Sequence, residues 1–131
     1  MAGPRTLELL ERNGGFTINH LGLEVTKGFA VSTDPQLTRV IKDIVTASEL
    51  FQYVSDNFDV LVDPYNGKVF GGWLDTQTGW TYLDVITVVT DREESLRLAS
   101  MHGEIAVYDL GTHEEIRVNY PKSDFVLVNE V

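Results

Sequence analysis

Three loops that repeat one turn design constrain the fold of this chain more than any other feature of its sequence. They read DPYNGK, DTQTGW and DLGTHE, at positions 63–68, 75–80 and 109–114. Each begins with Asp, has Asn or Thr three residues later and then a glycine, except that the third loop has His113 in that place. An Asp that accepts backbone N–H bonds, followed by a residue with positive φ, is typical of a β-hairpin loop of about four residues. We therefore predict a chain rich in antiparallel hairpins.

Length and composition indicate a single globular domain over residues 1–131, with residues 1–13 as a mobile arm and residues 120–131 as an edge strand or tail. The chain is 43% hydrophobic and 23% charged, which are ordinary values for a folded domain. It contains no cysteine, which excludes disulfides, thiolate catalysis and cysteine-ligated metals. We find no apolar run of membrane-spanning length and no secretion signal, so we predict a cytoplasmic protein that binds no membrane.

The formal charge is −10, and it is uneven along the sequence. Residues 1–58 hold seven acidic and five basic residues, whereas residues 59–131 hold thirteen acidic and five basic ones. An acidic surface repels nucleic acid and attracts basic proteins. We predict a protein partner with a basic surface and no direct binding to nucleic acid; alternatively, the acidity serves solubility alone.

The first half of the chain predicts a helical turn or amphipathic arm around Leu7 to Leu10, then short strands at 16–18 and 25–31 around a turn. For residues 36–45 the spacing of Leu37, Val40, Ile41 and Ile44 after Asp34-Pro35 favours a helix, with a strand as the alternative. Residues 46–57 predict a capped, core-facing helix. Its apolar face contains Ala47, Leu50, Phe51, Val54 and Phe58.

The second half predicts a meander of strands at 60–62, 69–75 and 80–89, in which Trp73 lies opposite Tyr82. Gly71 and Gly72 in the middle of a strand indicate a bulge or a close approach by another group. A helix capped by Thr90 and Glu93 follows, then a hairpin of strands at 105–108 and 116–118 and an edge strand at 125–128. The fold class is α+β: a mainly antiparallel sheet of hairpins with two or three helices packed on one face.

Catalytic and metal-binding patterns are weak in this sequence. We interpret His20, His102 and His113 as structural residues, and we find no phosphate loop, dinucleotide fingerprint or nucleophile elbow, so we predict neither a cofactor nor a metal. Asp84 stands in the otherwise apolar run YLDVI, where it needs a partner if it is buried; by alternation it points to solvent. An enzyme would require Asp84, His102 or His113 to converge in a pocket.

The aromatic residues Trp73, Trp80 and Tyr82 cluster on one predicted hairpin. Such residues are either interface anchors or sheet packing. We place Trp73 in the core and weigh both roles equally for Trp80. We predict a protein-binding face here, with Asp75 and Glu114 or Glu115 at its rim.

Several motifs of the chain resemble those of a phage protein family. GGW at 71–73, DTQTG at 75–79, LDV at 83–85, the acid-capped helix at 91–102 and YDL at 108–110 are similar to small uncharacterised proteins of actinobacterial, mycobacteriophage-type phages. The resemblance covers residues 71–118 and implies a phage accessory setting without a known activity. The segment YNGKVFGGWLD at 65–75 is also similar to the opening motif of ArdA-type antirestriction proteins, which are acidic DNA mimics, although one residue is missing.

These features together predict a non-enzymatic phage accessory protein that binds a host or phage protein through an acidic, aromatic-bearing face, as an inhibitor in one version. A DNA-mimic antirestriction protein, a small virion or assembly component, and an enzyme with a carboxylate and histidine site are the alternatives. The sequence does not indicate the oligomeric state.

Overall fold

The computed structural model describes residues 4–63 and 65–118, and the contacts between residues divide the chain into two compact units. The first unit comprises Met1–Val25 and Asp34–Ile86, and the second comprises Thr26–Thr33 and Thr87–Val131. Among the described residues the α-helices are α1 (Pro4–Asn13), α2 (Ala47–Asp56), α3 (Phe58–Leu61) and α4 (Arg92–Met101). The strands are β1 (Gly15–Ile18), β2 (Phe29–Val31), β3 (Arg39–Ile41), β4 (Lys68–Leu74), β5 (Thr81–Val89), β6 (Ala106–Asp109) and β7 (Glu114–Arg117).

The first unit is a sheet with helices on one face. β1 pairs antiparallel with β4, β4 neighbours β5, and β3 pairs antiparallel with the first part of β5. The inner face of this sheet and the helices α1, α2 and α3 enclose one core. Its fully buried members include Leu10, Leu50, Tyr53, Leu61, Phe70, Leu83 and Val85. The second unit is also antiparallel, with β2 between the last part of β5 and β6, and β6 next to β7. Its core comprises Val31, Leu96, Ala99 and Val107, which places α4 against the strands. The predicted α+β class with a mainly antiparallel sheet is confirmed.

Two of the three repeated turns close hairpins as predicted. In the loop after β4, Asp75 Oδ1 accepts the Gln77 N–H at 2.9 Å, and the Asp75 N–H bonds to the Trp80 carbonyl at 2.9 Å. In the loop after β6, Asp109 Oδ1 accepts the Gly111 N–H at 2.8 Å. His113 adopts a φ of 62°, so it takes the left-handed conformation that the turn requires without the freedom of glycine.

The third repeated turn keeps its local chemistry but joins different elements. Asp63 Oδ1 accepts the Tyr65 N–H at 2.9 Å, yet the residues before it form α3, so this loop connects a helix to β4. The predicted strand at 60–62 is therefore wrong. The carbonyl of Asn57 accepts the Val60 and Leu61 N–H groups at 3.2 and 3.1 Å, and Leu61 fills the core. Local helical bonding and burial outweigh the β preference of the two valines.

The helix favoured for residues 36–45 is also wrong. Pro35 begins only a short 3-10 helix, Pro35–Leu37, after which the chain extends into β3 and pairs Val40 with Tyr82. The β-branched pair Val40-Ile41 suits this pleated surface, and the pairing with β5 decides the conformation.

The helix termini follow the predicted capping chemistry, with one shift. Thr46 and Glu49 form the complete capping box of α2. At α4 the cap is Asp91, whose Oδ2 accepts the Glu94 N–H at 2.9 Å, so the capping box predicted from Thr90 begins one residue too early.

Within the described residues we find no helix long and apolar enough to cross a membrane. The edge strand predicted at 125–128 lies outside the described residues.

Candidate protein-binding face

The strands of the first unit present an aromatic face on the side of the sheet opposite the core. The register pairs Val40 of β3 with Tyr82 of β5, and the Tyr82 ring packs against Trp73 of β4 with ring centroids 5.5 Å apart. Side chains two positions apart share a face of a strand, so Trp80 precedes Tyr82 on this side and Lys42 follows Val40. We call Val40, Lys42, Trp73, Trp80 and Tyr82 the aromatic face.

The register predicted for the hairpin is confirmed, whereas the core position predicted for Trp73 is wrong. The hydrogen bond between Asp75 and Trp80 sets the pairing that brings Trp73 to Tyr82. Trp73 is nevertheless 55% exposed. The reason is the alternation of β4, because Phe70 occupies the inner face and Trp73, three residues further along, points outward.

Trp80 is half-buried, and the side chain of Lys42 lies over its ring. Lys42 Nζ is 4.6 Å from the centroid of the indole, which is cation–π geometry. A positive charge therefore lies on the face that the sequence predicts to be acidic. The nearest predicted rim residue, Asp75, uses Oδ1 in its own turn.

The other two predicted rim residues belong to the second unit. Glu114 and Glu115 begin β7, where they lie opposite Asp109 and Tyr108 of β6, and both side chains are exposed. The structure thus brings Trp73, Trp80, Tyr82 and Asp75 together within one unit, and Glu114 and Glu115 within the other.

Asp84 stands two residues beyond Tyr82 on β5, and its environment differs from the solvent position expected by alternation. The carboxylate is half-buried, and its Oδ1 accepts a 2.5 Å hydrogen bond from Thr38 Oγ, so the carboxylate has the partner that burial demands. Burial raises the pKa of Asp84, and the hydrogen bond from Thr38 opposes part of that rise.

Beneath Asp84, the hydroxyl of Tyr53 donates to the Leu37 carbonyl at 2.9 Å. Burial raises the pKa of Tyr53 far above its usual range, and the charge of Asp84 adds to the rise. Beside it, Lys68 Nζ binds both oxygens of the buried Asp34 carboxylate at 2.9 and 2.8 Å. Each of these three bonds joins a residue of segment 34–38 to another element, namely β5, α2 or β4, which indicates a structural role in holding the 3-10 segment in place.

The histidines have exposed or half-exposed side chains. His102 ends α4 and is exposed, as is His113, whose ring meets Tyr108 edge-on with centroids 6.4 Å apart. Over the part of the chain that the structure describes, no group of three or more His, Asp or Glu residues is placed to hold a metal ion.

Sequence reasoning missed Lys42 and Val40 as parts of the aromatic face, because both belong to a segment that it assigned to a helix. The signal was the β-branched pair Val40-Ile41, which favours a strand. No protein-family model, curated protein or solved structure matches this chain.

Proposed function

We propose that this protein binds another protein through the aromatic face of its first unit. The observation that carries the proposal is the exposed Trp73, which packs on Tyr82 beside Val40 on an extended sheet surface. Tryptophan and tyrosine are the side chains that most often dominate the energy of protein interfaces. A large apolar ring left in water is a source of binding free energy when a partner covers it.

The pairing of the two rings also gives the face a fixed shape. Trp73 and Tyr82 come from neighbouring strands, and their contact limits the rotamers of both side chains. Lys42 similarly restrains Trp80 from the β3 side. Side chains that are ordered before binding lose less entropy on binding, which favours affinity for one partner geometry.

Electrostatics favour a partner with a basic surface. The whole chain carries −10, and this field accelerates encounter with basic proteins and disfavours nucleic acid. Lys42 puts a positive charge on the aromatic face itself, so the long-range attraction comes from the net negative charge of the whole chain. A non-enzymatic accessory role in a phage, for example as an inhibitor of a host protein, remains the setting that the sequence resemblance implies.

The test is a quantitative affinity capture from the cells in which the protein is naturally made, with wild type and Trp73→Ala compared at low and high salt. We expect Trp73→Ala to lose a captured protein that wild type retains at low salt, by about tenfold or more, because the variant removes the exposed anchor. Ile105→Ala is the matched control, since Ile105 is a large apolar residue that is 66% exposed in the second unit.

Two results would count against the proposal. If Trp73→Ala and Ile105→Ala capture the same proteins in the same amounts as wild type, the aromatic face is not an interface. If capture is unchanged by salt and by reversing the charges of Glu114 and Glu115, the electrostatic part is wrong.

A further inference from the structure

The helices α2 and α3 carry more apolar surface than the core covers. Leu50, Tyr53 and Val54 of α2 are buried, whereas Phe51 is 64% exposed and Phe58 of α3 is 53% exposed. The sequence predicts Phe51 and Phe58 on the core-facing side, so this part of the prediction is wrong. The core covers only part of the apolar surface of α2 and α3, and the side chains of Phe51 and Phe58 lie outside the covered part.

The two phenylalanines lie on the same side of the helical segment. Phe51 precedes Val54 by three residues and Phe58 follows it by four, and such positions are neighbours on a helix surface. The two helices meet at Asn57, whose backbone leaves the helical region with φ −116° and ψ 26°. Its N–H still bonds to the Tyr53 carbonyl and its carbonyl accepts the Leu61 N–H, each at 3.1 Å, and Leu61 stays on the buried side with Leu50 and Val54. Val62, four residues after Phe58, extends the exposed stripe. We call Phe51, Phe58 and Val62 the phenylalanine stripe.

Acidic residues alone supply the charge of this segment. Residues 43–67 contain five acidic residues and no Lys or Arg. Glu49 serves the capping box of α2, and Asp56 pairs with Arg39 of β3 at 2.9 Å. The remaining three, Asp43, Asp59 and Asp63, have exposed positions around the helices. An apolar stripe with an acidic border is complementary to an apolar stripe with a basic border.

We propose that the phenylalanine stripe is a second interaction surface, which binds an amphipathic helical segment of a partner protein that carries Lys or Arg beside its apolar residues. The stripe extends over about three helical turns, which matches the apolar anchors of a helix at positions i, i+4, i+7 and i+11. A second copy of this chain fits less well, because two acidic borders would face each other. The phenylalanine stripe contains no residue of the aromatic face, so a negative result for one surface leaves the proposal for the other unchanged.

The test uses synthetic helical peptides of about 18 residues as probes. One peptide has leucines at helical spacing with lysines elsewhere, a second has the same composition in scrambled order, and a third replaces the lysines with glutamates. Fluorescence anisotropy then gives the affinity of each peptide for wild type, for the double variant Phe51→Ser/Phe58→Ser, and for the controls Trp73→Ala and Ile105→Ser.

We expect the leucine–lysine peptide to bind wild type about tenfold more tightly than the scrambled peptide, and the leucine–glutamate peptide not to bind. The double variant should lose about tenfold in affinity, while Trp73→Ala and Ile105→Ser keep the wild-type value. In wild type, NMR amide shifts on adding the peptide should cluster at residues 47–62, a result that depends on no variant.

Three results would overturn the proposal. Equal binding of the ordered and scrambled peptides would mean that charge alone attracts them. Amide shifts confined to other residues would place the site elsewhere. A wild-type protein that sediments as a dimer, with the double variant a monomer, would make the occupant of the stripe a second copy of the chain.

Discussion

At the level of single residues, the carboxylates of Asp84 and Asp56 have pKa values shifted in opposite directions. The pKa of Asp84 is raised by burial, so the folded state holds the proton of Asp84 more tightly than the unfolded chain does. The charged form therefore costs stability, and this cost grows as the pH rises above the ordinary carboxyl range. Asp56 is the opposite case, since hydrogen bonds from Gln52 and then Arg39 lower its pKa.

We predict opposite effects from neutralising these two carboxylates. Asp84→Asn should raise the free energy of unfolding at neutral pH, with the gain disappearing as the pH falls below the Asp84 pKa. Asp56→Asn should lower the free energy of unfolding at neutral pH, with the loss disappearing as the pH falls through the Asp56 pKa. Urea unfolding of both variants and wild type across the acid range measures these differences. A stability loss in Asp84→Asn at neutral pH would contradict the account of Asp84.

At the scale of elements, the pairing of β1 with β4 depends on a glycine at position 72. Gly72 lies opposite Phe16, and a Cβ added to Gly72 would stand 2.2 Å from the ring of Phe16. That ring is buried and meets Phe70 edge-on with centroids 4.9 Å apart, so it has little room to move. The close approach expected from the Gly71-Gly72 pair is therefore made by a side chain of the neighbouring strand.

We predict that Gly72→Ala lowers the free energy of unfolding by about 2 kcal/mol, which is typical of overpacking in a core. Chemical denaturation measures the loss. Gly71→Ala is the matched control and should cost less, because the nearest atom there is the flexible Cδ1 end of Ile86 at 3.1 Å. The second variant Phe16→Leu should recover part of the loss in a double-mutant cycle. Equal stability of Gly72→Ala and wild type would show that β1 can shift to admit the methyl group.

The elements also show what a single sequence can and cannot predict. The hairpin at 75–80, the capping box of α2 and the contact between Trp73 and Tyr82 follow from local chemistry, and all three are present. The conformations of residues 36–45 and 60–62 depend on which segment packs beside them. At 36–45 the helical spacing of the apolar residues misled the prediction although the β-branched pair favoured a strand, and at 60–62 the β preference of the valines misled it.

The candidate site shows the same division between local and tertiary information. The ring pair was predictable from turn length and alternation. The exposure of Trp73 and the approach of Lys42 were not, because they depend on which face the helices cover and on β3 pairing with β5.

At the scale of the whole molecule, the charge asymmetry seen along the sequence does not follow the structural units. The first unit holds eleven acidic and five basic residues, and the second holds nine and five. Each unit is thus acidic in its own right, since the first combines the weakly charged start of the chain with part of its acidic second half. The negative charge is therefore spread over both units and is not concentrated in one acidic site. Such a distributed charge is suited to the long-range attraction of a basic partner.

Site-specific photo-crosslinking in living cells shows whether the aromatic face touches a partner protein. The photoreactive residue p-benzoylphenylalanine is placed at position 73 and, as a control, at position 101, where Met101 is 76% exposed in the second unit. If a partner covers the aromatic face, illumination yields a discrete crosslinked product from position 73 and none of that mass from position 101. No product from position 73, or the same product from both positions, would contradict it.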